Sequence, residues 1–104
     1  NVNANLSWCG ALSVSQSLNV NSGGVFYMKG SLAQGSVLSP NQSLNVNGTM
    51  KIEGAVTIYG NLILNRGAKL EFVGSGSSIT IFGNVTKNSN VTITGNYIDT
   101  FNKL

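Results

Sequence analysis

The sequence predicts an all-β protein, a right-handed parallel β-solenoid built on hexad-like repeats. Three observations carry this. A six-residue block of alternating apolar and polar residues recurs along most of the chain. Glycine returns to the fifth place of that block. No stretch shows the apolar period of a helix.

Read from Leu44, the blocks are Leu44-Asn-Val-Asn-Gly-Thr49, Met50-Lys-Ile-Glu-Gly-Ala55, Val56-Thr-Ile-Tyr-Gly-Asn61 and Leu62-Ile-Leu-Asn-Arg-Gly67. An irregular stretch, residues 68–78, holds Leu70-Glu-Phe72. The register then resumes with Ile79-Thr-Ile-Phe-Gly-Asn84, Val85-Thr-Lys-Asn-Ser-Asn90 and Val91-Thr-Ile-Thr-Gly-Asn96. Upstream lie Leu12-Ser-Val-Ser-Gln-Ser17 and Leu18-Asn-Val-Asn-Ser-Gly23. Gln16-Ser-Leu-Asn-Val-Asn21 recurs as Gln42-Ser-Leu-Asn-Val-Asn47. Places one and three of each block share a strand face and form the expected core. Place five has the same parity. It is glycine at 48, 54, 60, 83 and 95, where a side chain would collide inside a tight corner and positive φ is easily reached.

The alternative is an antiparallel, immunoglobulin-like β-sandwich. Gly-Asn is a hairpin signal, and Tyr59-Gly-Asn-Leu62 or Phe82-Gly-Asn-Val85 would each reverse the chain. Against it, six-residue spacing leaves strands of about four residues, below the usual 5–6. The parity from Leu44 to Leu64 also runs unbroken across glycines, as a solenoid wall requires.

The length suits one domain, residues 1–104. Residues 1–11 and 97–104 are expected to be caps or arms. Tyr97, Ile98, Phe101 and Leu104 make the second a candidate assembly tail, closing the last coil or pairing with a neighbour. The stretch from Ser31 to Gln42, with the only proline, Pro40, reads as a loop or widened corner, and Val73 to Ser78 as a turn. Two-sided and three-sided coils both fit. A start at Asn1 without methionine suits a processed product or a piece of a longer chain.

The blocks between Leu44 and Asn96 resemble those of parallel β-helix surface proteins of the adhesin type. They are also similar to bactofilins, β-helices that polymerise end to end, although the Asn/Ser/Thr-rich, weakly charged surface departs from that family and favours a secreted product. Left-handed hexapeptide acyltransferases differ in carrying a small residue after the aliphatic one and a catalytic histidine. This chain has no His. Polysaccharide lyases share only the architecture.

Composition narrows the function. Only 9 % of residues are charged and 41 % are apolar, which opposes disorder. The basic residues Lys29, Lys51, Arg66, Lys69, Lys87 and Lys103 are scattered, which argues against a nucleic acid partner. No apolar run reaches the roughly 20 residues of a membrane helix. The acids are Glu53, Glu71 and Asp99. Glycoside hydrolysis needs two facing carboxylates, but the irregular stretch spoils the register between Glu53 and Glu71. Glu71 and Lys51 are instead candidate neighbours on adjacent coils. No catalytic residue, cofactor or metal site is expected, and the chain does not read as an enzyme. Cys9, the only cysteine, cannot close an internal disulfide. It reads as a small buried side chain of the first coil or as a candidate for an intermolecular disulfide.

Asn-x-Ser/Thr at Asn5, Asn41, Asn47, Asn84 and Asn90 marks candidate N-glycosylation sites. The structural alternatives are asparagine in left-handed turns and stacked asparagine ladders in coil corners. Thr57, Thr80, Thr86 and Thr92 fall at outward places and raise an ice-binding face, mixed with Asn19, Asn45, Lys51, Ile63 and Glu71. Trp8, Phe26, Tyr27 and Tyr59 are candidate sugar-stacking rings, with alternation turning Phe26 and Tyr59 outward and Tyr27 inward. The expected function is a non-catalytic extracellular building block. It would assemble into fibres or a surface layer or form part of an adhesin, with copies of itself or the rest of a larger surface protein as partner. The alternative is a carbohydrate- or ice-binding domain, with glycans as ligands.

Overall fold

The computed structural model describes residues 4–14, 17–35, 42–74 and 76–104. Every regular element among them is a strand. They are β1 (Asn5–Val14), β2 (Leu18–Val20), β3 (Val25–Gln34), β4 (Ser43–Val46), β5 (Thr49–Ile58), β6 (Asn61–Leu64), β7 (Lys69–Phe72), β8 (Ser77–Ile81), β9 (Val85–Lys87), β10 (Thr92–Thr94) and β11 (Tyr97–Asp99). Each strand pairs in parallel with the strand one coil away. The result is a parallel β-solenoid of about four turns. Parallel pairing rules out the sandwich, because a hairpin at Gly60 or Gly83 would make its neighbours antiparallel.

The coil has three walls. β1, β3 and β5 are long strands with positive φ at Gly10, Gly30 and Gly54, and those glycines sit over one another. One coil further on, β7 and β8 pair with β5 on either side of Gly54. The first wall is therefore the leading halves of β1, β3 and β5 with β7 and β10. The second is their trailing halves with β8 and β11. The third is β2, β4, β6 and β9.

Stacking in register turns the block pattern into columns. Phe26, Met50 and Leu70 lie over one another, as do Met28, Ile52 and Phe72. Leu32, Val56 and Ile79 make a third column, and Leu44 and Leu62 share another. All of these side chains are buried. Each is worth roughly 1.5–3 kcal/mol of burial. First and third block places are buried at Leu44, Val46, Met50, Ile52, Val56, Ile58, Leu62, Leu64, Ile79 and Ile81.

Several expectations need correction. The strand continues from Ser31 to Gln34, in register with Ala55 to Ile58, so the period does not break at Ser31. Pro40 and Asn41 lie outside the described residues. The stretch 68–78 is not out of register: Leu70 and Phe72 continue the columns, and Ser78 faces Ala55. The extra length sits in the corner between β7 and β8. Phe26 is buried and Tyr27 is half-exposed, the reverse of the expected phase. Cys9 is exposed rather than buried. Asparagine pairs stack across coils at a strand as well as at a corner: Asn45 Nδ2 donates to Asn19 Oδ1 at 2.9 Å in the middle of the third wall, and Asn88 Nδ2 to Asn65 Oδ1 at 3.3 Å just after it.

A Cβ on Gly54 would drive into the carbonyl oxygen of Gly30, at a φ of 133°. At Gly67 the φ is 79° but a Cβ would meet nothing within 4 Å. Urea denaturation should therefore separate the two. Gly67→Ala is expected to cost about 1–2 kcal/mol, the left-handed strain alone. Gly54→Ala is expected to cost about 3 kcal/mol or more, because the coils must also move apart.

Candidate functional site

The two ends of the solenoid differ in chemistry. At the N-terminal end the columns finish in apolar side chains. Leu6 stands over Phe26, Trp8 over Met28, Leu12 over Leu32, and Leu18 over Leu44. Leu6 and Trp8 remain 45 % and 41 % exposed, although their partners one coil below are sealed. Among the described residues β1 pairs with β3 alone, and β2 with β4 alone, so each has one strand edge without a described partner. β1 and β2 contain no charged residue.

At the C-terminal end two columns finish in charge. Lys87 stands over Leu64, and Asp99 over Ile79. In every other quoted block the third place is apolar. Lys87 was thus visible in the sequence as the exception that marks a final coil. The candidate tail then folds back. Leu104 donates its backbone N–H to Asp99 Oδ2 at 2.7 Å and packs against the core. Thr100 and Thr80 hydroxyls share a hydrogen bond at 2.9 Å. Tyr97 stacks on Phe72 with ring centroids 4.3 Å apart. Phe101 packs on Phe82 at 5.5 Å, and Phe82 stacks on Tyr59 at 5.2 Å. Of the four tail residues, Leu104 covers the core, Tyr97 and Phe101 clip the tail to older coils, and Ile98 stays 64 % exposed. The Tyr59 and Phe82 rings share the fourth place of two aligned blocks, whereas block periodicity does not reveal the Phe72–Tyr97 and Phe82–Phe101 pairs.

The three walls also differ. Lys29, Lys51, Glu53, Lys69 and Glu71 all lie on the first wall. Lys51 faces Glu71, with Nζ 3.9 Å from Oε2 and both side chains more than a third exposed, a pair worth about 0–1 kcal/mol. The Tyr27 hydroxyl donates to Glu53 Oε2 at 3.2 Å, and Lys29 Nζ lies 4.9 Å from the Tyr27 ring centroid. Glu53 and Glu71 thus have separate partners and do not form a facing pair. The second wall presents rows of Ala11, Ser31, Ala55 and Ser78, and of Ser13, Ala33, Thr57 and Thr80, without charge.

The candidate threonines are divided. Thr57 and Thr80 are neighbours on the second wall, Thr86 is on the third, and Thr92 is on the first. The candidate sugar-stacking rings are also dispersed: Trp8 at the N-terminal end, Phe26 in the core, Tyr27 on the first wall, Tyr59 at a corner. A ring pair that the sequence argument passed over, Phe82 and Phe101, is 54 % and 48 % exposed. With Ile81 and Lys103 it lines an open groove of about 360 Å³. Of the candidate glycosylation sites, Asn5, Asn84 and Asn90 are exposed and Asn47 is half-buried at the bend after β4. Asn90 has a φ of 62°, so the left-handed turn role holds there, and the Asn84 backbone N–H donates to Asn61 Oδ1 one coil away. Cys9 lies on the outer face of β1.

Among the described residues no group of three or more His, Cys, Asp or Glu side chains is placed to hold a metal. Nor is any helix long and apolar enough to cross a membrane. No family model, curated protein or solved structure matches the chain.

Two measurements follow. Partial desolvation, and then the hydrogen bond to the Glu53 carboxylate, raise the Tyr27 phenol above its ordinary pKa of 10.0. The fold favours the neutral phenol, so that contribution is present at neutral pH and is lost as pH rises through the elevated pKa. Ultraviolet phenolate titration of Glu53→Gln should show one tyrosine moving to lower pKa. For the tail, hydrogen exchange of Asp99→Ala should show the Leu104 amide losing its protection while the β5 amides keep theirs.

Proposed function

We propose that this chain is a non-catalytic structural module of an extracellular β-solenoid assembly, one that joins other chains through its N-terminal end and closes the solenoid at its C-terminal end. One observation carries the proposal: the apolar columns are open at Leu6 and Trp8, whereas at the other end two of them finish in Lys87 and Asp99 and Leu104 folds back against the core. Natural repeat proteins finish their stacks with atypical, polar end repeats. Uncovered apolar edges recruit another chain. The uncharged Asn, Ser and Thr of the outer faces support an extracellular setting, as in surface proteins of the adhesin type. An intermolecular contact of this kind requires no cofactor.

A second reading, sugar binding, is favoured by the Phe82 and Phe101 groove. Exposed rings stack on the apolar faces of sugars, and Lys103 supplies a donor at the rim. Ice binding is disfavoured by the placing of the four threonines on three walls.

Trp8, the only tryptophan, reports directly on the main proposal. Its emission should move to the blue as protein concentration rises, in step with a larger sedimentation coefficient. Electron microscopy should show small discrete particles, because a closed C-terminal end stops unlimited growth. Emission typical of an exposed indole with monomer sedimentation at every concentration would remove the proposal.

A further inference from the structure

We infer that Asn90 carries an N-linked glycan, held on the outer rim of a corner that the fold keeps open. This goes beyond the proposal above and needs neither end of the solenoid to bind anything. Asn90-Val91-Thr92 is an Asn-x-Thr acceptor triplet without proline. Its place in the fold singles it out from the other triplets.

The corner between the third wall and the first recurs from coil to coil. It spans residues 21–24 between β2 and β3, 65–68 between β6 and β7, and 88–91 between β9 and β10. Between β4 and β5 it is shortened to Asn47 and Gly48. In the longer corners the third residue has positive φ: 83° at Gly23, 79° at Gly67 and 62° at Asn90. Asn90 therefore takes the place that glycine holds in two other coils. A Cβ on Gly23 or on Gly67 meets nothing within 4 Å, although a further coil is stacked beyond each of them. The space outside this place is thus open along the side of the solenoid, and a coil added at either end does not cover it. Asn90 and Thr92 are exposed, while Val91 between them packs against the core and anchors the triplet.

The amide chemistry points the same way. Asn88, in the same corner, donates its side-chain amide to Asn65, and Asn45 donates to Asn19. Neither Asn88 nor Asn45 begins an acceptor triplet. The Asn90 side-chain amide makes no hydrogen bond among the described residues, so substituting its nitrogen breaks no contact there. Asn47 is the counter-example. It begins a triplet, but it is half-buried in the short corner and its backbone N–H donates to the Val20 carbonyl at 2.7 Å. A Cβ on the next residue, Gly48, would strike the carbonyl oxygens of Asn21 and Gly24.

The donor is an oligosaccharide esterified to a lipid pyrophosphate, supplied with its transferase on the secretory route. A bond forms between Asn90 Nδ2 and the anomeric carbon. The bond from that carbon to the pyrophosphate oxygen breaks, the lipid pyrophosphate leaves with the electron pair, and the amide gives up one proton. Nothing is oxidised or reduced.

Peptide mass spectrometry tests this on the protein isolated from the cells that make it. Trypsin, cutting after Lys87 and Lys103, releases residues 88–103, in which Asn90 is the only acceptor asparagine. A peptide-N-glycosidase in heavy-oxygen water should convert Asn90 to labelled aspartate and leave Asn88, Asn96 and Asn102 unchanged. Thr92→Val, made in the same cells, should lose the modification completely. Asn90→Gly should also lose it and keep the β-sheet circular dichroism, since glycine already fills that place in two coils. An unlabelled Asn90 in the native peptide would overturn the inference and leave the assembly proposal untouched. Label that survives Thr92→Val would mark simple deamidation and overturn it too. Label at Asn47 equal to that at Asn90 would overturn the claim that the open corner selects the site.

Discussion

The structure depends on the close approach of one backbone corner to the next. Parallel strands in adjacent coils sit about 4.8 Å apart, and that spacing holds around a bend only if nothing projects into it. At the first corner the contact is glycine on glycine, from Gly10 through Gly30 to Gly54. At Gly30 and at Gly54 the carbonyl of the preceding glycine occupies the place a Cβ would take. Once the corners close, every residue lies over its register partner. The columns, the wall chemistry and the end surfaces are consequences of that register.

Register also explains how so weakly charged a chain reaches a defined shape. Several polar side chains pair with polar side chains one coil away: Asn19 with Asn45, Asn65 with Asn88, Thr80 with Thr100. Neutral pairs of this kind are each worth only about 0.5–1.5 kcal/mol. They add selectivity, because a slip of one residue would turn each apolar column outward. Apart from Arg66 in the turn after β6, charge is collected on the first wall and at the C-terminal end, away from the buried columns.

Much of this was legible in the residues themselves. From Leu44 to Leu64 each first and third block place is buried, since alternation alone decides the face of a strand. The pairing of Lys51 with Glu71 also followed from matching Met50-Lys-Ile52 to Leu70-Glu-Phe72. What failed was phase where alternation is absent. Val25-Phe-Tyr-Met28 is apolar or aromatic throughout, so only the neighbouring Met50 and Ile52 decide that Phe26 and Met28 go inward. Residues 68–78 looked irregular because length was added at a corner, where periodicity counts residues but register does not. Cys9 and Trp8 were harder still. Trp8 stands in a column place with no described residue over it, a property of position in the stack, whereas Cys9 is exposed because it takes the outward place beside it. The tail's aromatic clips join Phe72 to Tyr97 and Phe82 to Phe101, across distances no short pattern spans.

The direction of the ladder bonds has a mechanical consequence. In every wall the inter-strand hydrogen bonds point along the solenoid axis, while the covalent chain runs around it. Tension along the axis therefore loads one rung at a time, and the coils peel away in sequence like a zip. Tension across the axis is shared by all the bonds of a rung and by the covalent chain. The Asp99–Leu104 fold-back and its aromatic clips act as the latch at one end of the zip. Unravelling under load is accordingly easiest from the end that carries Leu6 and Trp8, unless something is seated there.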